Sequence, residues 1–458
     1  MPYDSTLAEL RDLLGTRLTT GESVRTAHSR DEAYTAPALP DAVVFPQDVD
    51  EVAAIVTACA RTGCPVVPFG IGTSLEGHVV PLHGGVSVDL GQMNRIIDID
   101  ERNLLAVVEP GVTRNQLNTA LRNTGLMFTV DPGADATIGG MAATRASGTN
   151  AVRYGTMRET VMALQVVLPD GQIIETGTRA RKSAAGYDLT HLFVGSEGTL
   201  GIITRLTVRL YGQPESIRAA TCAFDNVEGA VDAVMDAMQV GLPMARIELL
   251  DEVQMRGMNI YNPDMKMPET PHLFLEFHGS SQSTAEQVDI FAALAAEHGG
   301  AELVWATHAE DRNRLWKARH DAYYAAKALV PGAEGFVTDC CVPISRLAEA
   351  IRRARDEIDR SGLVAPILGH VGDGNFHLVI LIRPDEPSDL GRAHDLAEIL
   401  NLMSIELGGT MTGEHGVGVG KKKYMQAEHG DAYALMAVIK KAIDPANIMN
   451  PGKMVTIN

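Results

Sequence analysis

Between residues 216 and 306 the apolar pattern changes period several times, and few folds tolerate that order of changes. Residues 220–224 read as a strand, and Val227, Ala230, Val231, Val234 and Met238 then recur at helical spacing. Residues 246–250 and 273–277 again read as strands, 284–297 as a helix and 302–305 as a final extended run. The order strand, helix, strand, strand, helix, strand predicts a ferredoxin-like α+β unit. Gly212-Gln213-Pro214 interrupts the pattern before it, which places a domain boundary near 213–216.

The part before that boundary is built differently. Residues 42–69 read as strand, helix, strand. Asp48-Val49-Asp50-Glu51 opens the helix in the manner of a capping box, Val52, Ile55, Val56 and Cys59 form its apolar stripe, and Gly63 stops it. Strands are expected near 86–90, 96–99 and 104–109, a capped helix from Thr113, and a hairpin around Pro169-Asp170-Gly171-Gln172. Two long glycine-rich segments, 70–77 and 131–150, lie among these elements. Glycine lets backbone N–H groups approach an anion closely, and successive N–H groups form a nest. Two such segments, both with Ser and Thr donors, suit a pyrophosphate. Neither is G-x-G-x-x-G, and 416–421 lacks P-loop spacing, so the nicotinamide fingerprint and the P-loop are both rejected.

Further on, Gly369-His370-Val371-Gly372-Asp373-Gly374-Asn375-Phe376-His377 lies between apolar runs. Asp373-Gly374 predicts a two-residue hairpin turn, which sets His370 opposite His377 with Cβ atoms ~5 Å apart. That spacing suits two imidazoles on one metal ion, and equally two rings packed together without one. Gly413-Glu414-His415-Gly416 follows, and Glu414 or His415 there would complete a ligand set. A Glu-His step between glycines favours the metal.

Composition narrows the function classes. With 458 residues the chain should hold two or three domains. A formal net charge of −19 argues against a nucleic-acid partner, and an anionic substrate would need local positive charge. The cysteines are Cys59, Cys64, Cys222, Cys340 and Cys341, with no C-x-x-C among them. That pattern fits reduced thiols and excludes a ferredoxin-type cluster, so electrons handled here must leave to another molecule. No apolar run reaches the ~18 residues of a membrane span, so no transmembrane segment is expected. The start of the chain is polar, and the expected location is cytoplasmic, with peripheral attachment at the inner face of a membrane through a partner.

Residues 70–77, 131–155 and Val194-Gly195-Ser196-Glu197-Gly198-Thr199-Leu200-Gly201-Ile202-Ile203-Thr204 resemble the FAD-binding domain of the vanillyl-alcohol oxidase (PCMH-type) flavoproteins. The C-terminal half resembles their FAD-linked oxidase cap, and the likeness covers nearly the whole chain. Within that superfamily, 150–158, 181–187 and Cys341-Val342-Pro343-Ile344-Ser345-Arg346 are similar to the cytochrome-linked D-lactate dehydrogenases. The fold class implied is α+β: a two-part FAD-binding domain, a ferredoxin-like cap, and a C-terminal segment that returns to the FAD domain. The expected division is an N-terminal helical segment 1–40, FAD domain 41–215, cap 216–420 and returning segment 421–458.

The resemblance also implies site residues. FAD should meet Pro68, Gly70, Ile71, Gly72, Thr73, Ser74, Leu75 and Gly77 in the first loop. In the second region it should meet Pro132, Gly133, Ala134, Thr137, Gly139, Gly140, Ala143, Ser147, Gly148, Thr149, Ala151, Tyr154 and Gly155. Glu197, Gly198, Gly201, Ile202, Ile203 and Asn450 complete the set. Thr73 stands where some relatives attach FAD to a histidine, so non-covalent FAD is expected, and the nearby His78 is read as a neutral variation. His370, His377 and Glu414 are the implied ligands of one divalent metal, zinc or manganese; His415 is the implied general base and Arg319 the holder of the substrate carboxylate. Lys421-Lys422-Lys423 is read as a solvated face.

The reaction implied is oxidation of a D-2-hydroxy acid, foremost D-lactate to pyruvate, with electrons passed to cytochrome c or a quinone. D-2-hydroxyglutarate or glycolate is the alternative substrate, with Lys327 the candidate second cation for the former. A non-catalytic FAD-binding subunit is the alternative of another class, and a homodimer is the expected assembly.

Overall fold

The computed structural model describes residues 3–306 and 308–457, and the chain divides into two compact units. One takes the residues up to Ser147, Gly155–Gln213 and those from Glu414 onward; the other takes Gly148–Tyr154 and Pro214–Gly413.

The first unit holds two principal sheets. In one, Ala42–Val44, Val86–Asp89 and Val66–Phe69 run parallel in that spatial order, and the short Leu18–Thr19 strand pairs antiparallel with the first. The Val49–Thr62 helix makes the crossover that a parallel pair requires. Asp48 caps it by accepting the Glu51 N–H at 2.9 Å. The reciprocal half of the expected capping box is absent, because the Glu51 carboxylate accepts from Gln47 N and Arg17 instead. The second sheet orders Ile96–Asp100, Leu105–Val108, Ile202–Arg209, Val161–Val167 and Ile173–Gly177 as an antiparallel array. The end of the chain returns to this unit: Met449 bridges Val66 in parallel, and Ile448 and Met449 are buried in the core of the first sheet.

In the second unit, Val304–Ala306, Ser216–Ala223, His272–Gly279 and Met244–Leu250 lie side by side in that order, all antiparallel. Numbered along the chain this is 4-1-3-2, the ferredoxin-like arrangement expected from the pattern. One element was not foreseen: a helix, Glu252–Tyr261, separates the two middle strands. The sheet then grows beyond the motif through Ile367–Gly369, Asn375–Ile382 and Glu334–Val337.

Alternation along these strands sorts two faces. Cys222, Ile247, Leu249, Leu273, Leu275, Phe277, Phe376 and Leu378 pack in one core with the Val227–Gln239, Ser281–Glu297, Leu347–Ser361 and Pro387–Glu406 helices. Phe274, Leu368, Val379 and Leu381 pack in another, with the Glu252–Tyr261, Ala309–His320 and Ala322–Ala328 helices. Arg246, Glu248, Glu276, His278, Asn375 and His377 have the parity of the second face.

The histidine turn departs from the expected hairpin. His377 pairs with Leu368, not with His370. Val371–Asp373 forms one 3-10 turn closed by Gly374 at φ 76°, and both Asp373 N and Asn375 N bond to His370 O, at 3.0 and 3.3 Å. The connection is therefore longer than two residues. A tertiary contact selects it: Val342 N donates to Gly374 O at 3.0 Å, and a Cβ on Gly374 would lie 2.0 Å from Val342 O.

Candidate active site

In the first unit the glycine segments converge. A Cβ on Gly70 would lie 2.8 Å from Thr137 Oγ1, so the segments 70–77 and 131–140 are in contact. Gly139 is pressed on Pro110, where a Cβ would meet the proline Cβ at 2.4 Å. Gly198, at φ 69°, is packed on Pro68. Thr137 caps the Ile138–Thr144 helix by accepting from Gly140 N. These contacts leave no room for a Cβ at Gly70, Gly139 or Gly198, and segments so poor in side chains suit a dinucleotide phosphate, which demands close N–H donors.

Other expected cofactor residues carry bonds that the sequence did not show. Ile202 and Ile203 are buried in the cores of the two sheets. The Asn450 amide is buried and donates to His78 O and Glu197 O at 2.9 and 2.7 Å. Gly148, Thr149, Ala151 and Tyr154 belong to the second unit. There Arg153 donates to Pro243 O and His278 O, and the Tyr154 hydroxyl lies 2.7 Å from His278 Nδ1.

In the second unit His370 and His377 come together despite the changed register, with ring centroids 5.4 Å apart and planes at 81°. Each ring is fixed through Nδ1. His377 Nδ1 is 2.9 Å from Thr338 O, and a carbonyl only accepts, so Nδ1 carries the proton. His370 Nδ1 is 2.7 Å from Glu248 Oε1. Burial would raise the Glu248 carboxyl, but His370 and Arg319 outweigh it and hold the group below its usual range, as the carboxylate. His370 therefore also donates from Nδ1. With Nδ1 donating, Nε2 is the lone-pair nitrogen of each ring in its neutral form, the form that metal-ligating histidines take when a carbonyl or carboxylate orients them.

Arg319 is buried, and its Nε and Nη2 donate to Glu248 Oε2 at 3.1 and 2.6 Å. It is not the exposed helix residue that its position alone would suggest. Asp339, also buried, accepts from Asn375 Nδ2 and from Thr412 Oγ1, each at 2.7 Å. That ties the chain at Thr412 to the strand two residues before His377. Gly413 is pressed on Asn375, and Glu414 is the next residue, one ~3.8 Å step along the backbone. Sequence reasoning missed Glu248 and Asp339. For Glu248 the available signal was a charged residue inside a strand otherwise rich in apolar residues.

The loop after Gly413 is anchored within the first unit. Glu76 O accepts from Val419 N and Gly420 N at 2.7 and 3.0 Å, and its carboxylate is 3.4 Å from Lys421 Nζ and 3.9 Å from His415 Nδ1. Lys421 is buried and Lys422 Nζ donates to Gly452 O, so of the lysine run expected to be a solvated face only Lys423 is exposed. His78 is not neutral decoration: it is buried 3.2 Å from Glu197 Oε1.

Comparison with known proteins agrees with this geometry. Residues 40–177 match the family model described as FAD binding domain, and residues 213–454 match FAD linked oxidases, C-terminal domain. The chain is 50% identical over 441 residues to a probable mitochondrial D-lactate dehydrogenase of Danio rerio, covering 95% of this chain and 88% of that protein. It is 43% identical over 452 residues to a mitochondrial D-lactate dehydrogenase [cytochrome] of Arabidopsis thaliana, covering 98% and 80%. Among solved structures, a 4-ethylphenol oxidase from Gulosibacter chungangensis superposes with TM-score 0.83 at 19% identity, covering 100% of this chain and 97% of that one. A p-cresol methylhydroxylase superposes with TM-score 0.82, also at 19% identity and with the same coverage. FAD is thus the cofactor of this chain, which belongs to the FAD-linked oxidases, among the D-lactate dehydrogenases of the cytochrome type.

Proposed function

We propose that this enzyme oxidises D-lactate to pyruvate with non-covalently bound FAD and one divalent metal, zinc or manganese, and passes the electrons to cytochrome c or a quinone. The observation that carries the reading is the histidine pair, whose two Nδ1 atoms are held by Thr338 O and Glu248 so that both rings offer Nε2 as a donor. His370, His377 and Glu414 are the proposed ligands; two His and one carboxylate with open positions suit either metal. The relatives named D-lactate dehydrogenase support the substrate.

Bound FAD supplies the two-electron acceptor for the hydride at C2. The metal supplies a Lewis acid beside which a hydroxyl becomes more acidic. The remaining work falls to side chains. His415 takes the hydroxyl proton, for which an imidazole is suited near neutral pH. Arg319 holds the substrate carboxylate with the N–H donors not directed at Glu248, which fixes its guanidinium. The glycine segments hold the FAD pyrophosphate through backbone N–H groups. Among the described residues no helix is long and apolar enough to cross a membrane, so contact with a membrane-bound acceptor would be peripheral.

The test is anaerobic mixing of the holoenzyme with D-lactate, L-lactate, glycolate and D-2-hydroxyglutarate, followed by flavin absorbance. Rapid bleaching by D-lactate is expected. Bleaching by another acid in preference, or by none, defeats the assignment.

A further inference from the structure

The stretch that follows His415 is gripped by a buried carboxylate far away in sequence. Glu197 Oε1 accepts from Val417 N at 2.6 Å and Oε2 from Gly418 N at 2.8 Å. Both oxygens are thus used on consecutive peptide N–H groups, the pattern by which a carboxylate fixes a backbone nest. Glu197 itself adopts φ 53°, uncommon for a residue with a side chain, and its carbonyl accepts from Asn450 Nδ2 at 2.7 Å. His78, buried with it, brings Nε2 to 3.2 Å from Oε1 as an ion-pair contact, and among the described residues neither of its ring nitrogens makes a hydrogen bond. The gripped chain lies directly on this pair: a Cβ on Gly416 would be 2.7 Å from both Glu197 Oε1 and His78 Nε2. A Cβ on Gly418 would be 2.2 Å from Glu76 O. Nothing larger than glycine fits at either place.

Burying a carboxylate without partners is expensive, so such a group is kept where its charge is used. Here the cationic partner is a histidine and the rest of the bonding goes to two N–H groups, two and three residues after His415. A fixed Val417–Gly418 backbone limits where His415 and Glu414 can point. We propose that Glu197, backed by His78, is a positioning residue for the Glu414-His415 step rather than a contact for the flavin. The proposal rests on the reading of Glu414 as ligand and His415 as base.

Three holoenzymes test it: wild type, Glu197→Gln and Gly418→Ala. Gln keeps the size of Glu but offers one acceptor oxygen and turns an NH2 toward a donor. Gly418→Ala displaces the same backbone without touching Glu197. In both variants FAD per chain should match wild type, and bleaching by D-lactate should slow by about 10²-fold, the scale of an ångström-sized misplacement. Amide exchange across 414–420 should become faster in both, and less zinc or manganese should survive dialysis. Loss of FAD from Glu197→Gln in step with the rate would overturn the proposal and make Glu197 a flavin contact. Unchanged amide exchange would overturn it whatever the rates. Should the wild type itself fail to bleach with D-lactate, the functional reading falls, and the exchange measurement still decides whether Glu197 grips the loop. If Glu197→Gln does not fold, Gly418→Ala carries the same three readouts.

Discussion

The glycine segments of the first unit and the histidine turn of the second are built by opposite means. Around Gly70, Thr137 and Gly139 the segments pack so closely that a Cβ at either glycine would collide with its neighbour. Around His370 and His377 the structure does the reverse, and inserts polar and charged side chains where a sheet would ordinarily be apolar: Glu248 inside one strand, Asn375 and His377 inside another, Asp339 and Arg319 against them. The first region is defined by close backbone packing, the second by buried polar and charged side chains bonded to one another and to nearby backbone. A substitution should therefore act sterically in one and electrostatically in the other.

The sharpest break between them is removal of a proposed ligand. His370→Ala and His377→Ala should slow flavin bleaching by D-lactate by about 10⁴-fold, the several kcal/mol expected of a Lewis acid, while FAD per chain stays unchanged. Bleaching at the wild-type rate in either variant would remove the metal from the mechanism. Next comes Glu248→Gln. It leaves Arg319 buried without its carboxylate and His370 without a charged orienter. Stability should fall by about 3 kcal/mol in urea unfolding, with activity falling further than that loss explains. A variant as stable as wild type would show that the buried pair contributes little.

On the other side of the comparison, Gly139→Ala sets a Cβ 2.4 Å from the Pro110 Cβ. A destabilisation of about 2 kcal/mol and weakened FAD retention are expected, with metal content per folded chain unchanged. Gel filtration with absorbance at the flavin and protein bands reads this directly. The smallest effect is a pH slope. Burial pushes the Lys453 ammonium down to about 8, although it donates to Val80 O and Asn450 Oδ1. Between that value and the ordinary one near 10.5 the unfolded chain binds more protons than the folded one, so this lysine makes stability rise with pH in that window. Urea unfolding at pH 7.5 and pH 10 should show a rise of roughly 1–2 kcal/mol that Lys453→Met flattens. An equal slope in the variant would assign the effect to other groups.

How much of this was legible in the sequence depends on the kind of signal. The cap sheet was readable because Val227, Ala230, Val231 and Val234 against flanking strands leave few arrangements, and the 4-1-3-2 order followed. The Glu252–Tyr261 helix was missed because only two of its apolar residues, Met255 and Met258, are buried, and Gln254 and Gly257 share that face, so no clear apolar period announces it. The histidines were found for a partly wrong reason. Asp373-Gly374 favours a two-residue turn locally, but Val342 selects the longer one, and that contact is invisible from the turn itself. Their closeness survived the change of register because His370 is drawn to Glu248, on a strand more than a hundred residues earlier. Residue type announced His370 and His377, and left Glu414 or His415 to complete the set. It could not announce Glu248 or Glu197, because a carboxylate looks the same in sequence whether solvated or gripping a backbone.

The parallel bridge between Val66 and Met449, with Asn450 N bonded to Val66 O at 2.8 Å, bears on how the protein is made. The strand at 66–69 leads straight into the first glycine segment, yet its neighbour on that side is synthesised almost four hundred residues later. On the ribosome the flavin-binding unit must wait, its first sheet open along one edge, while the whole of the other unit emerges. The second unit has its main stretch, Pro214–Gly413, available sooner, and so has the opportunity to fold first. A nascent chain stalled before residue 444 would then present a formed cap joined to an unfinished flavin site. Supplying FAD during translation should help only once that last stretch has left the tunnel.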